Sequence, residues 1–353
     1  MSRKLSFLPL VMAALLIIFP SLSLEGAARG INMWAENMVP TLFPFMAVST
    51  MLINSGALSG FAKMCSGLTE KMCIPRAASQ ALIVGIVSGY PVGAGMASML
   101  CKQNKINAGD VCFTAAVSSF CSPIFIISTI GVKMLQNAWA GIVILASHYL
   151  SFAVTLFLFV KFGAGAKHSA QTEIENEEKS MPIGALLKAS VESAVKTILT
   201  VGGYVVLFSI LIEFISKCKI LPENGFLSVG IPILLELSNG SAAVCKTAVP
   251  LAVKIMLLCF CTTWGGLCVI FQINGFIGEC KVSCKKLVLF KLIQACVSGL
   301  CGFALSKLIL KQETALTEMF WQKYAWVLLT AFVCIVICAV LLGVSARKKQ
   351  RNK

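Results

Sequence analysis

Four hydrophobic stretches of this chain are interrupted by residues that a plain membrane-spanning helix does not tolerate, and they come as two pairs. In the first pair, Ala81 to Leu100 is broken by Ser88-Gly89-Tyr90-Pro91-Val92-Gly93-Ala94-Gly95, and Val111 to Val132 by Ser118-Ser119-Phe120-Cys121-Ser122-Pro123. In the second, Phe226 to Val244 is broken around Glu236-Leu237-Ser238-Asn239-Gly240, and Val253 to Ile273 at Thr262-Thr263-Trp264-Gly265-Gly266. In lipid every backbone N–H and C=O needs a partner, so irregular backbone at membrane depth survives only where protein covers it or where it lines a polar cavity. Paired interruptions in the two halves of one chain are the pattern of a transporter-type binding site.

The rest of the composition agrees with a bilayer. With 58% hydrophobic and 13% charged residues and a mean hydropathy of +0.87, the chain reads as an all-α polytopic membrane protein. Its formal charge of +15 sits in short loops and tails beside apolar runs, where orientation signals belong, so nucleic acid is excluded as a partner. The sixteen Cys are scattered through apolar runs with no Cys-x-x-Cys pair; the closest spacings are Cys259/Cys261, Cys280/Cys284 and Cys334/Cys338. With His148 and His168 as the only histidines, no metal constellation and no cofactor are expected, and the cysteines read as small buried hydrophobes. No Walker-type run, acid/base pair or nucleophile-base pair occurs at credible spacing, so the chain is not expected to be an enzyme.

Spans are predicted at about 5 to 24, 39 to 58, 111 to 132, 138 to 160, 194 to 215, 251 to 273, 287 to 310 and 324 to 343. Lys63, Lys71 and Arg76 precede the first interrupted segment and Lys102 and Lys105 follow it, so it is expected to enter and return on one side as a re-entrant hairpin. Treating 225 to 245 in the same way leaves about eight crossings in a bacterial cell membrane with both termini cytoplasmic. Most of the thirty Lys and Arg, including Lys281, Lys285, Lys286 and Lys291, then lie inside. Helix, hairpin and broken helix recur with opposite orientation, an inverted repeat. The expected organisation is a first, uncleaved transmembrane helix and outer loop (1–37), a first gate-type repeat (38–160), a cytoplasmic linker (161–188), a second repeat (189–310), and a last helix with a basic tail (311–353). Trp34, Trp139, Trp321 and Trp326 read as interface anchors.

The interruptions carry the candidate site. Ser88, Gly89, Tyr90, Pro91 and Gly93 suit a hairpin tip, since Gly permits close approach and Pro91 stops the helix. Free N–H groups where helix resumes, expected near Gly95, favour an anionic or hydrogen-bonding solute; a purely structural hairpin is the alternative. Ser119, Ser122 and Pro123 offer hydroxyls and a carbonyl freed by Pro123, either for a cation or solute or only to satisfy the kink. Glu236 is an intramembrane acid, read as a proton or cation carrier or a substrate partner, or else as a helix cap. Ser238, Asn239 and Gly240 fit either account. Thr262, Thr263, Gly265, Gly266 and Gln272 are polar lining groups or a packing seam of small residues. Glu213 reads as interfacial.

These motifs resemble the YlbJ family of sporulation integral membrane proteins, which carry the gate domain shared with concentrative nucleoside transporters and the membrane part of FeoB iron transporters. The resemblance rests on Pro40-Thr41-Leu42-Phe43-Pro44-Phe45, Ser88 to Ala94, Phe120-Cys121-Ser122-Pro123 through Ile127, His148-Tyr149, Leu235 to Gly240, and Gly265 through Gln272. It departs where Gly95 and Phe271 stand in place of the Lys and His that the family pattern expects. The resemblance implies a sporulation-associated protein of an endospore former, working either as a secondary transporter of a small solute by alternating access or as a non-transporting scaffold for spore envelope or cortex assembly. The expected partners are the lipid bilayer, an unidentified small solute with a coupling cation, and a second copy of the chain in a homo-oligomer.

Overall fold

Pro20 decides the shape of the N-terminal region. The computed structural model describes residues 7–56, 69, 74–161, 182–217, 225–280 and 285–310, and within them all regular structure is helical. Helix α1 (Phe7–Ile18) ends at Phe19, whose backbone (φ −122°, ψ 64°) has left the helical region, as expected of a residue before proline. Helix α2 (Pro20–Met33) then leaves at 108° to α1. The single span expected at 5 to 24 is therefore two segments, and residues expected to form a loop before position 38 are helical. A π-helical turn, Trp34–Met38, leads α2 into α3 (Val39–Asn54), so one helical run covers Pro20–Asn54.

The first interrupted pair forms α4 (Ser79–Ser88) and α5 (Tyr90–Lys102), followed by α6 (Ala108–Val117), an unwound stretch and a π-helical segment Phe125–Met134. The long α7 (Ala138–Lys161) closes this half. After α8 (Ile183–Lys217), the second pair forms α9 (Phe226–Leu235) with α10 (Leu237–Cys245), then α11 (Leu251–Trp264) with α12 (Gly266–Ile277), and the long α13 (Lys285–Ile309) closes the second half. Long helix, short helical pair, broken helix and long helix thus follow in the same order twice.

Among the described residues, Ala138–Lys161, Ile183–Lys217, Leu251–Ile277 and Lys285–Ile309 are each long and apolar enough to cross a bilayer, and the bent α1/α2–α3 run makes a fifth candidate. The run expected to span at 111 to 132 is instead two pieces of ten residues each, α6 and Phe125–Met134. At about 1.5 Å per residue, each α-helical arm of ten residues covers only half of a ~30 Å core. The span at 324 to 343, the basic tail, most of the linker, Lys63 and Lys71 lie outside the described residues.

Small residues set the closest approaches. A methyl on Gly26 or Gly30 of α2 would come within 2.6 Å of the Ile210 Cα or 2.8 Å of the Val206 Cα, so these two glycines, four apart, let α2 lie directly on α8. Trp34 lays its ring on Gly202 and donates its indole N–H to the Ile198 carbonyl (2.9 Å), joining α8 rather than anchoring an interface. Glu213, expected at the interface, is buried on α8 and pairs with Arg29 of α2 at 2.7 Å. Outward-facing residues such as Trp139, Phe157, Leu199 and Phe226 are apolar, as a multi-pass membrane protein requires. The core sits where α4–α6 and α10–α12 meet between α7, α8 and α13.

Candidate functional site at the meeting of two tips and two breaks

Each short helical pair turns on one residue. Gly89, with φ at +95°, separates α4 from α5, so helix resumes at Tyr90 and not near Gly95; Pro91 sits in its first turn, where the missing N–H costs nothing. The first-turn N–H groups of Tyr90 and Val92 have no acceptor within their own helix. The two arms fold back on each other at Gly85 and Gly93, and the carbonyl oxygen of Ser118 seats in the notch left by their missing side chains. A Cβ on either glycine would fall inside that oxygen's radius.

The second tip turns on Glu236, which is extended (φ −149°, ψ 131°) and caps α10. Its Oε1 accepts from the Ser238 N–H (2.9 Å), and its Oε2 from the Asn239 N–H (2.8 Å) and Asn239 Nδ2 (2.7 Å). Asn239 Nδ2 also donates to Ser209 Oγ of α8 at 2.8 Å. The carboxylate thus occupies the N-terminus of its own helix. Gly240 packs on the Ile233 backbone across the turn, and the tip backs onto Gly266, where a Cβ would lie 2.6 Å from the Leu235 carbonyl. Gly265 and Gly266, at φ +78° and +79°, form the break between α11 and α12. The Trp264 indole holds the same tip through the Leu234 carbonyl (3.1 Å).

Long-range polar contacts tie the two breaks together. Residues 118–122 are unwound and helix resumes at Pro123, so the Ser119 carbonyl has no helical partner. That carbonyl accepts from Lys291 Nζ of α13 at 2.7 Å. Lys291 is fully buried, also donates to Gln294 Oε1 (3.1 Å), and lies 5.2 Å from the Tyr90 ring centroid. Sequence reasoning placed this lysine among the cytoplasmic orientation charges; the structure puts it in the core. Three N–H bonds thereby face two oxygens and an aromatic face, which offsets part of a desolvation cost of several kcal/mol. The Tyr90 hydroxyl donates to the Thr262 carbonyl at the second break.

His148 of α7 completes the tie. The Cys121 N–H donates to its Nε2 (3.3 Å), so Nε2 carries no proton, and Nδ1 donates to Thr263 Oγ1 at 2.8 Å. One neutral imidazole therefore spans both breaks. Replacing it with Phe orphans the Cys121 N–H and the Thr263 hydroxyl. We expect His148→Phe to lose about 2–4 kcal/mol of stability, read as a lower midpoint in thermal unfolding in detergent; an unchanged midpoint would refute the tie.

A cavity of about 40 Å³ lies at this meeting point. Ser88, Gly89, Tyr90, Pro91, Ser122, Glu236 and Gln272, all expected site residues, line it, together with Cys121 and apolar groups of α3, α8 and α12. The Ser122 hydroxyl, on a residue only 2% exposed, has no hydrogen-bond partner. The other expected residues stand behind the wall. Ser119 and Thr262 turn their hydroxyls back onto their own helices. Thr263 serves His148, Asn239 serves Glu236, and Gly93, Gly240, Gly265 and Gly266 provide close backbone approach. Ser238 is buried with its hydroxyl unpartnered, and Pro123 opens the helical segment that follows the unwound stretch carrying the Ser119 carbonyl.

A wider, open cavity of about 520 Å³ adjoins on one side and shares Pro91 with the small one; Thr50, Asn54, Ser98, Lys102, Ser193, Lys196 and Thr197 are among its lining residues.

No family model and no solved structure matches the chain. It is similar to the sporulation integral membrane protein YlbJ of Bacillus subtilis (strain 168), 27% identical over 322 residues that cover 81% of this chain and 78% of that protein.

Proposed function

We propose, on the premise that this chain is a sporulation-associated integral membrane protein of the YlbJ family, that it is a secondary transporter of a small anionic or hydrogen-bonding solute. The reading takes its two helical pairs as re-entrant hairpins of an inverted repeat, as in the gate domains of nucleoside transporters, and moves the solute by alternating access. The observation that carries it is the convergence of both tips, the first break and the helix that follows the second break on one small cavity whose Ser122 hydroxyl lacks a partner.

Ligand sites commonly enclose about 300–1,000 Å³, whereas the cavity between the tips holds about 40 Å³. On this reading solute entry requires the tips to part. The 520 Å³ cavity is the approach, with Pro91 in the wall between the two. The open N–H groups at the start of α5, unlike those of α10, have no carboxylate of their own to donate to and on this reading are left to donate to the solute's acceptors.

The test is Ser122→Ala. A buried hydroxyl without a partner contributes nothing to the fold, so the variant is expected to unfold within about 1 kcal/mol of wild type. A solute that binds the folded state raises the unfolding midpoint with the logarithm of its occupancy. Across a screen of nucleosides, envelope precursors and small organic acids, a stabilising solute is expected for wild type. Ser122→Ala is expected to lose that stabilisation and reconstituted solute flux about tenfold, the effect of one hydrogen bond of about 1.4 kcal/mol. Equal solute response and equal flux in the two proteins would overturn the site, and a folded wild type that neither binds nor moves any solute would favour the scaffold role.

A further inference from the structure

We propose that the Lys291 ammonium is a tethered cation that holds the first break in the position a freely exchanging metal ion would otherwise take. A helix interrupted by an unwound stretch leaves carbonyl oxygens without helical partners, and in transporters built from discontinuous helices such carbonyls coordinate sodium or protons. Here the freed carbonyl is that of Ser119, and Lys291 Nζ donates to it at 2.7 Å. The same nitrogen satisfies its remaining valences with Gln294 Oε1 at 3.1 Å and the face of Tyr90, whose centroid is 5.2 Å away. Its partners among the described residues are oxygen dipoles and a ring, the set that a bound alkali cation also seeks, and no carboxylate is among them.

The second break shows the same replacement, for there the Thr262 carbonyl accepts from the Tyr90 hydroxyl. Back at the first break, the neighbouring Ser118 carbonyl is enclosed by the backbone of the Gly85–Gly93 notch. The protein itself thus covers the oxygens that a metal ion would use. Because Tyr90 belongs to the first tip and its ring lies under Lys291, the tethered charge also fixes that tip against α13. Taken with the transporter reading, on which this clause rests, the solute crosses without sodium or another metal cation as its partner.

The experiment is equilibrium unfolding of the full chain in detergent, in sodium, potassium and N-methylglucamine chlorides at equal ionic strength. Wild type is expected to melt at the same temperature in all three. Lys291→Ala is expected to melt about 5–10 °C lower in N-methylglucamine, and to recover a large part of that loss with sodium or with ethylammonium, each small enough to fill the vacated place. Lys291→Met keeps the length of the stem without the charge or the space; it is expected to melt low and to respond to neither ion.

A wild-type midpoint raised selectively by sodium or potassium would overturn the proposal. So would a folded Lys291→Ala indifferent to both small cations, or a Lys291→Met variant as stable as wild type. Should Lys291→Ala fold in no buffer, the wild-type and Lys291→Met arms decide by these same criteria. None of these readouts requires a transported solute, so failure here leaves the Ser122 test standing, and failure of that test leaves the cation assignment standing.

Discussion

Gly85→Val is expected to abolish the first hairpin. The added side chain would start inside the radius of the Ser118 carbonyl oxygen, and the neighbouring atoms are backbone, with no flexible side chain able to swing away. The Ser118 carbonyl must leave the notch, and the unwound stretch that presents Ser119 and Ser122 leaves with it. Overpacking of a dense core commonly costs about 1–3 kcal/mol; a collision with the Ser118 backbone should exceed that. The expected result is loss of a cooperative melting transition and of monodisperse protein in detergent. Gly95→Ala on the other arm, α5, is the control, because a Cβ there meets only the Phe276 ring at ordinary contact distance, 3.6 Å. If Gly85→Val melted within a few degrees of Gly95→Ala, the notch would have no structural role.

Glu236→Ala should carry the second large effect. Removing the carboxylate strands the backbone N–H groups of Ser238 and Asn239 and takes the nearer acceptor from Asn239 Nδ2. Each buried donor without an acceptor costs about 1–3 kcal/mol, so a total of roughly 3–6 kcal/mol is expected, a large part of the stability of an ordinary domain. Glu236→Gln keeps one oxygen for the backbone but sets an amide against Asn239 Nδ2, so a smaller loss is expected. The ranking wild type, Gln, Ala in unfolding midpoint checks this; an Ala variant as stable as wild type would remove the cap from the account. If Glu236 also serves solute movement, Gln should lose flux beyond what its fraction unfolded explains.

The interruptions were legible because breaker chemistry is local. A glycine or proline in an apolar run, or an acid at its centre, marks a backbone departure wherever the rest of the chain lies. The breaks at Gly89, Glu236, Ser118–Pro123 and Gly265 fall within the interruptions expected for them. The extent of each did not follow. Eight residues around Gly89 looked irregular, yet a single glycine suffices, because Pro91 is tolerated once it occupies the first turn. The expected plain span at 5 to 24 failed for a local reason too, since Pro20 lay within it.

Other parts were hidden because their partners are remote. Lys291 looked like one more loop charge beside Lys285 and Lys286. A signal was present, since Lys291 and Gln294 stand three apart on one helical face inside an apolar run, but the acceptor it serves is 172 residues away. His148 entered the sequence reading only in the count of possible metal ligands and through its family motif, and its role depends on a contact 115 residues on. Trp34 carried the composition of an interface residue and took the position of a packing one, because Gly202 leaves room for its ring on α8.

The cross-ties also impose an order on biosynthesis. A membrane protein emerges N-terminus first, so Tyr90 and the Ser119 carbonyl enter the bilayer long before Thr262 and Lys291, each 172 residues downstream, have been made. Until then the nascent first half holds a donor and an acceptor at a depth where lipid can satisfy neither. Water carried in with the chain, or an insertase that shelters it, must cover them in the interval. A ribosome stalled between the two halves would leave a product that the quality-control proteases of the membrane should recognise and remove.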